Sequence, residues 1–182
     1  MIFLSYNCRG LASQPKKLVL RELVKAYNPD VILMQETLGQ GGEVKGSLSK
    51  IFPGWIFHAL DANGRSGGVA SRYKVGKFKE ISSWGFKNSL AIELYSNEFC
   101  HPFLLLNVYG PCSDRERFWN PFFMKSYLYH PNLIVWGDLN FSLGASESWG
   151  ASARVDPLTE FFINKLAASH LVDSSLLKPR PT

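Results

Sequence analysis

The sequence predicts an α/β fold, on three observations. Uninterrupted apolar runs of strand length recur, among them Val31-Ile32-Leu33-Met34 and Leu133-Ile134-Val135-Trp136, and such runs fill strands buried on both faces. Between the N-terminal run Ile2 to Tyr6 and the first of these lies a helical pattern, with Leu20, Leu23, Val24 and Tyr27 spaced i, i+3, i+4, i+7. Successive apolar runs then end on polar groups: Asn7, Glu36, Tyr109 with Gly110-Pro111, and Asp138 with Asn140. Acids and amides at strand ends are where α/β folds place their chemistry.

Taken in order, Ile2 to Tyr6 is a first strand, and Asn7-Cys8-Arg9-Gly10-Leu11 is the loop that leaves it. Pro15 suits a helix start, and Asn28-Pro29 stops that helix before a second strand, Val31 to Glu36. A weak helix after Gly41-Gly42 carries Val44, Leu48 and Ile51. Strands follow at Trp55 to Leu60, with a turn at Asp61-Ala62-Asn63-Gly64, then from Ser66-Gly67-Gly68 into Val69-Ala70. Further strands run over Phe78 to Trp84, Ser89 to Tyr95 and Phe103 to Tyr109. Asp114 opens a helix burying Phe118, Phe122 and Tyr127, bent or restarted at Pro121. A last helix has Asp156 as N-cap and Pro157 at N1 and buries Leu158, Phe161, Phe162 and Leu166; Leu171-Val172-Asp173 starts a further strand.

The stretch Leu133 to Asn140 organises this pattern, because it ends abruptly in Gly-Asp-x-Asn. If the strand continues, Asp138 and Asn140 leave on one face; otherwise Gly137, Asp138 and Asn140 form a turn.

Bulk properties bound the class. A single domain over residues 1–182 has room for a sizeable core, and 46% hydrophobic with 14% aromatic residues excludes a disordered chain. A net charge of +5 and a pI near 9.1 suit a polyanionic partner such as nucleic acid. Three cysteines, Cys8, Cys100 and Cys112, without metal-type spacing, read as reduced thiols of an intracellular protein. No run approaches the roughly 20 apolar residues that span a bilayer.

Acids and amides at strand ends make a hard-oxygen site for Mg²⁺ or Mn²⁺. Glu36 can supply the anionic ligand and Asn7 a neutral oxygen. Asp138 can polarise an attacking water, while Asn140 and the Tyr109 hydroxyl can bond phosphate oxygens. Each residue also has a plain structural reading: Asn7 and Asn140 as turn formers, Tyr109 as half-buried, Glu36 as a solvated strand end.

Four segments in order carry a resemblance: Asn7-Cys8-Arg9-Gly10-Leu11, Gln35-Glu36-Thr37, Val108-Tyr109-Gly110-Pro111 and Gly137-Asp138-Leu139-Asn140-Phe141. The chain resembles the endonuclease/exonuclease/phosphatase superfamily over essentially its whole length. Within it the chain looks most like the endonuclease domain of LINE-type (non-LTR) retrotransposons of plants. In those the Asn-Cys-Arg-Gly-Leu opening, a Pro-Asp-x-x-x-x-Gln-Glu-Thr motif (here Pro29 to Thr37) and a Ser-Gly-Gly segment (Ser66 to Gly68) recur.

The resemblance implies a four-layer α/β sandwich and phosphodiester hydrolysis by an activated water with Mg²⁺ or Mn²⁺. It assigns Glu36 to the metal with Asn7 beside it, Tyr109 and Asn140 to the phosphate, and Asp138 to the nucleophilic water. DNA is the implied substrate and the nucleus the implied location. The family also ends on a Ser-Asp-His motif that these residues lack, and Pro181-Thr182 looks like half of a Thr-Trp pair. The expectation is therefore a domain missing its last strands, with impaired activity and with Phe103 and Leu105 uncovered. His58, His101, His130 and His170 read as surface or loop residues. Two other readings stay open: an inactive remnant that binds nucleic acid weakly, and a phosphodiesterase acting on a phospholipid or inositol phosphate.

Overall fold

The structure, a computed structural model, describes residues 1–63, 66–144, 147 and 155–174. Contacts divide the chain into two compact units, one of residues 1–109 and 130–139 and the other of residues 110–129 and 140–182.

The first unit holds two mixed sheets. β1 (Phe3–Asn7), β2 (Val31–Gln35), β3 (Trp55–Asn63) and β4 (Ser66–Lys74) form one, in the order β1-β2-β4-β3. β5 (Phe78–Phe86), β6 (Ser89–Ser96), β7 (Phe103–Tyr109) and β8 (Leu133–Asp138) form the other, in that order. β1 pairs with β2 and β7 with β8 in parallel, and the remaining pairs are antiparallel. Parallel neighbours need a crossover, and the first is α1 (Gln14–Tyr27). α2 (Gly41–Ile51) joins it in a helical layer on the first sheet.

Strand alternation sorts the core into two. Ile32 and Met34 of β2 face Leu20, Val44 and Leu48 of the helices, with Phe57 and Ala70. Val31 and Leu33 face the second sheet, meeting Tyr73, Phe78, Leu90, Ile92, Leu94, Phe103 and Leu105. β2 is covered on both faces and all five of its residues are buried, which is why it reads as an unbroken apolar run.

In the second unit α3 (Arg115–Phe122), a 3₁₀ turn over Ser126–Tyr129 and α4 (Thr159–Ala168) surround an aromatic cluster. Trp119 lies 4.9 to 5.7 Å, ring centre to ring centre, from Phe122, Phe118, Phe141 and Phe162, and Phe141 stacks on Phe162 at 3.8 Å. The α/β sandwich class is thus the one the sequence predicts.

Several local expectations are corrected. β8 is an edge strand, half-buried, with Trp136 41% exposed; an apolar run records side chains, not the number of strand neighbours. Tyr27 is exposed, because α1 presents its last turn to solvent. Phe103 and Leu105 are covered, enclosed between the sheets. The hairpin strand β3 continues to Asn63, so residues 61–63 are strand rather than turn. The helix opened at Asp114 ends at Phe122, just past Pro121, and Tyr127 belongs to the 3₁₀ turn. Asp156 does not cap α4, which starts at Thr159; it accepts from the Leu158 N–H in the turn before and binds Arg115. Leu171 to Asp173 form no strand, and Val172 is exposed. His58 lies inside β3 and bonds Glu80 at 2.8 Å. Pro181-Thr182 lie outside the described residues.

Candidate active site

Three predicted residues meet at the C-terminal ends of parallel strands. β1 ends on Asn7 and β2 on Gln35, paired in register, so Glu36 follows directly beside Asn7. β8 ends on Asp138, paired with Tyr109 at the end of β7. Asn7 joins the two sheets: its Nδ2 donates to Glu36 Oε1 at 2.8 Å and to Asp138 Oδ2 at 2.5 Å. Two carboxylates thus lie within the span of two hydrogen bonds, all three side chains half-buried. Asn7 Oδ1 accepts from the Arg9 N–H at 3.0 Å, which fixes the amide and leaves that oxygen a second lone pair.

The loops are locked by backbone bonds. Cys8 N–H donates to Gln35 O, Gly10 N–H to Glu36 O and Leu11 N–H to Thr37 O; Thr37 and Leu38 donate in turn to Gly68 and Gly67. The Asn-Cys-Arg-Gly, Gln-Glu-Thr and Ser-Gly-Gly segments are therefore one zipper. Gly68 has φ +78, and a side chain there would run into Thr37 Oγ1. Gly137, before Asp138, has φ +142 and sits against the Val108 carbonyl, where a Cβ has no room. Glu36 itself has φ +51, an uncommon backbone state for a residue with a Cβ, held by these bonds. Burial pushes the Cys8 thiol up to about 12, so Cys8 is a neutral packing residue.

β8 stops at Asp138, so the same-face argument for Asn140 fails: Asn140 has φ +53 and belongs to the second unit. There its Nδ2 donates to Gly110 O at 2.6 Å and its carbonyl accepts from Arg115 Nη1 at 3.1 Å. Arg115 grips Asp156 through both nitrogens, at 2.5 and 2.6 Å, and this ion pair holds the Asp156 carboxyl down at about 2.

The donor set suits a hydrated hard cation. No three His, Cys, Asp or Glu side chains cluster among the described residues. Mg²⁺ needs only one or two carboxylates and keeps several waters, and Glu36 supplies one, with the Asp138 carboxylate across the Asn7 amide. Sequence reasoning gave no role to Asn107, whose signal was a lone amide inside the apolar run Phe103 to Tyr109.

Fold and site together define an α/β sandwich of two mixed sheets that carries an amide and two carboxylates at its strand ends. The chain belongs to the endonuclease/exonuclease/phosphatase family, whose model matches residues 4–158. Members of that family hydrolyse phosphodiester bonds and generally use divalent metals. Among solved structures, the AP endonuclease LMAP from Leishmania major is similar, with TM-score 0.69 at 17% identity, over 92% of this chain and 66% of that one. D. rerio TDP2 humanized by 14 mutations gives 0.61 at 15%, over 78% and 67%. The human Nocturnin catalytic domain with bound sulfate gives 0.55 at 18%, over 86% and 76%. At these identities the likeness is one of fold, and the chain spans about two thirds of the first two structures' length. No curated protein sequence matches the chain.

Proposed function

We propose that this chain is a DNA phosphodiesterase domain of the non-LTR retroelement type, working with Mg²⁺ or Mn²⁺ held at Glu36. The observation that carries the reading is the Glu36–Asn7–Asp138 arrangement, which sets two carboxylates around one amide at the strand ends. The bound cation would polarise a phosphate oxygen and lower the pKa of its water. Asn7 holds both carboxylates in place. Asp138 orients the attacking water and accepts its proton, and Tyr109, its cross-strand neighbour, contacts the phosphate. Asn140, two residues on, carries the phosphate-holding role of the motif. The net charge of +5 favours a polyanion, and the Asn7 to Leu11 opening supports the retroelement branch and hence a nuclear site of action.

A second reading, an inactive nucleic-acid binder, rests on the net charge of +5 alone. A plasmid-nicking assay with Mg²⁺ separates them. Nicking abolished by Asp138→Ala supports the enzyme. Salt-sensitive DNA binding with no nicking supports the binder. Nicking unchanged by Asp138→Ala overturns the assignment of the site.

A further inference from the structure

Beneath the site, the interface between the sheets changes from apolar to polar. Along β2 the residues facing the second sheet run Val31, Leu33, Gln35, and along β7 they run Phe103, Leu105, Asn107, Tyr109. Across β1 they run Phe3, Ser5, Asn7. The layer of Ser5, Gln35, Ser71 and Asn107 therefore lies between the hydrophobic core and the level of Asn7, Tyr109 and Asp138.

Asn107 satisfies its whole amide in this layer and is fully buried. Its Nδ2 donates to Met34 O at 3.2 Å, to Ala70 O at 3.0 Å and to Ser71 Oγ at 3.1 Å. Its Oδ1 accepts from Gln35 Nε2 at 2.7 Å, and Gln35 also contacts Ser5 Oγ at 3.3 Å. One side chain of the second sheet, two residues before Tyr109, is thus bonded to both central strands of the first, on one of them to Gln35, which directly precedes Glu36.

We propose that Asn107 is a positioning residue that fixes the slide of one sheet over the other, and so the fit of Asn7 and Glu36 to Asp138. The apolar interface cannot do this alone, because the hydrophobic effect is non-directional. Four hydrogen bonds are directional, and a buried amide that loses them is penalised. The site needs such a lock, since its parts come from both sheets and its bonds tolerate displacements of only about 0.5 Å. As a statement about catalysis this rests on the proposed function; as a statement about geometry it does not.

The test reads the Asn7 side-chain NH₂ by ¹H–¹⁵N spectroscopy, assigned by its loss in Asn7→Ser. In Asn107→Leu, similar in size but unable to bond, solvent exchange of that NH₂ rises about tenfold, the size of effect expected from one weakened hydrogen bond. Backbone amides of β2 and β7 stay protected. Leu105→Ala, which loosens the same interface without touching the polar layer, leaves the Asn7 NH₂ unchanged. Equal exchange in the native chain and Asn107→Leu, or an equal rise in Leu105→Ala, overturns the proposal. If Asn107→Leu does not fold, Gln35→Leu carries the same readout. Where the native chain nicks DNA, Asn107→Leu lowers kcat with KM unchanged. Where it does not, the proposed function fails and the Asn7 signal still decides the lock.

Discussion

Asn7 Nδ2 donates to Asp138 Oδ2 at 2.5 Å, a bond across 131 positions of sequence and from one sheet to the other. The same nitrogen holds Glu36. Each carboxylate is thus placed by reference to the other, and a change at any of the three disturbs the geometry of all.

Glu36→Gln keeps the acceptor for Asn7 but removes the charge. Mg²⁺ affinity measured by calorimetry falls at least about tenfold, because a hard cation bound by so few protein groups depends on each anionic one. Equal affinity in the two proteins places the ion elsewhere.

Gly68→Ala strains the zipper beneath Glu36. The left-handed backbone and the contact with Thr37 Oγ1 together cost about 2–4 kcal/mol in urea denaturation. Adding Thr37→Ala relieves the contact and leaves the backbone cost, so the double variant is less destabilised than the sum of the two. Strict additivity would show that Thr37 does not set the requirement for glycine.

Asp156 links stability of the second unit to pH. Its carboxyl is held at about 2 by Arg115, against the desolvation of burial and helped by bonds from the Leu158 and Ser142 N–H groups, whereas an ordinary aspartate sits at 3.8. A carboxylate depressed on folding adds stability above its unfolded pKa, and that stability is lost as pH falls through the folded value. Thermal scans of the native chain therefore show a stability loss between about pH 4 and pH 2 that Asp156→Asn lacks. At pH 7 that variant is destabilised by about 2 kcal/mol, between the values for exposed and buried ion pairs. A native-like midpoint for Asp156→Asn at pH 7 would remove Arg115–Asp156 as a structural clamp.

Local chemistry made much of this legible in the sequence. The apolar period of β2, the helical spacing of Leu20 to Val24 and the polar residue closing each parallel strand are properties of neighbours in the chain, so Asn7, Glu36, Tyr109 and Asp138 could be named as strand-end groups from sequence alone. Gly67-Gly68 and Gly137 could be flagged, but not explained, because the atoms that exclude a side chain there, Thr37 Oγ1 and Val108 O, are brought in by other strands. Edge or centre was undecidable for β8, since its exposure depends on pairing with β7 alone. Asn107 was equally silent: an amide in an apolar run gains meaning only when four partners, the farthest 73 residues away, close around it. The sequence by itself determined which residues stand at the strand ends. Only the tertiary structure decided that Asn7 and Asp138 meet, because that bond depends on how two sheets are seated face to face, and no period within either strand records it.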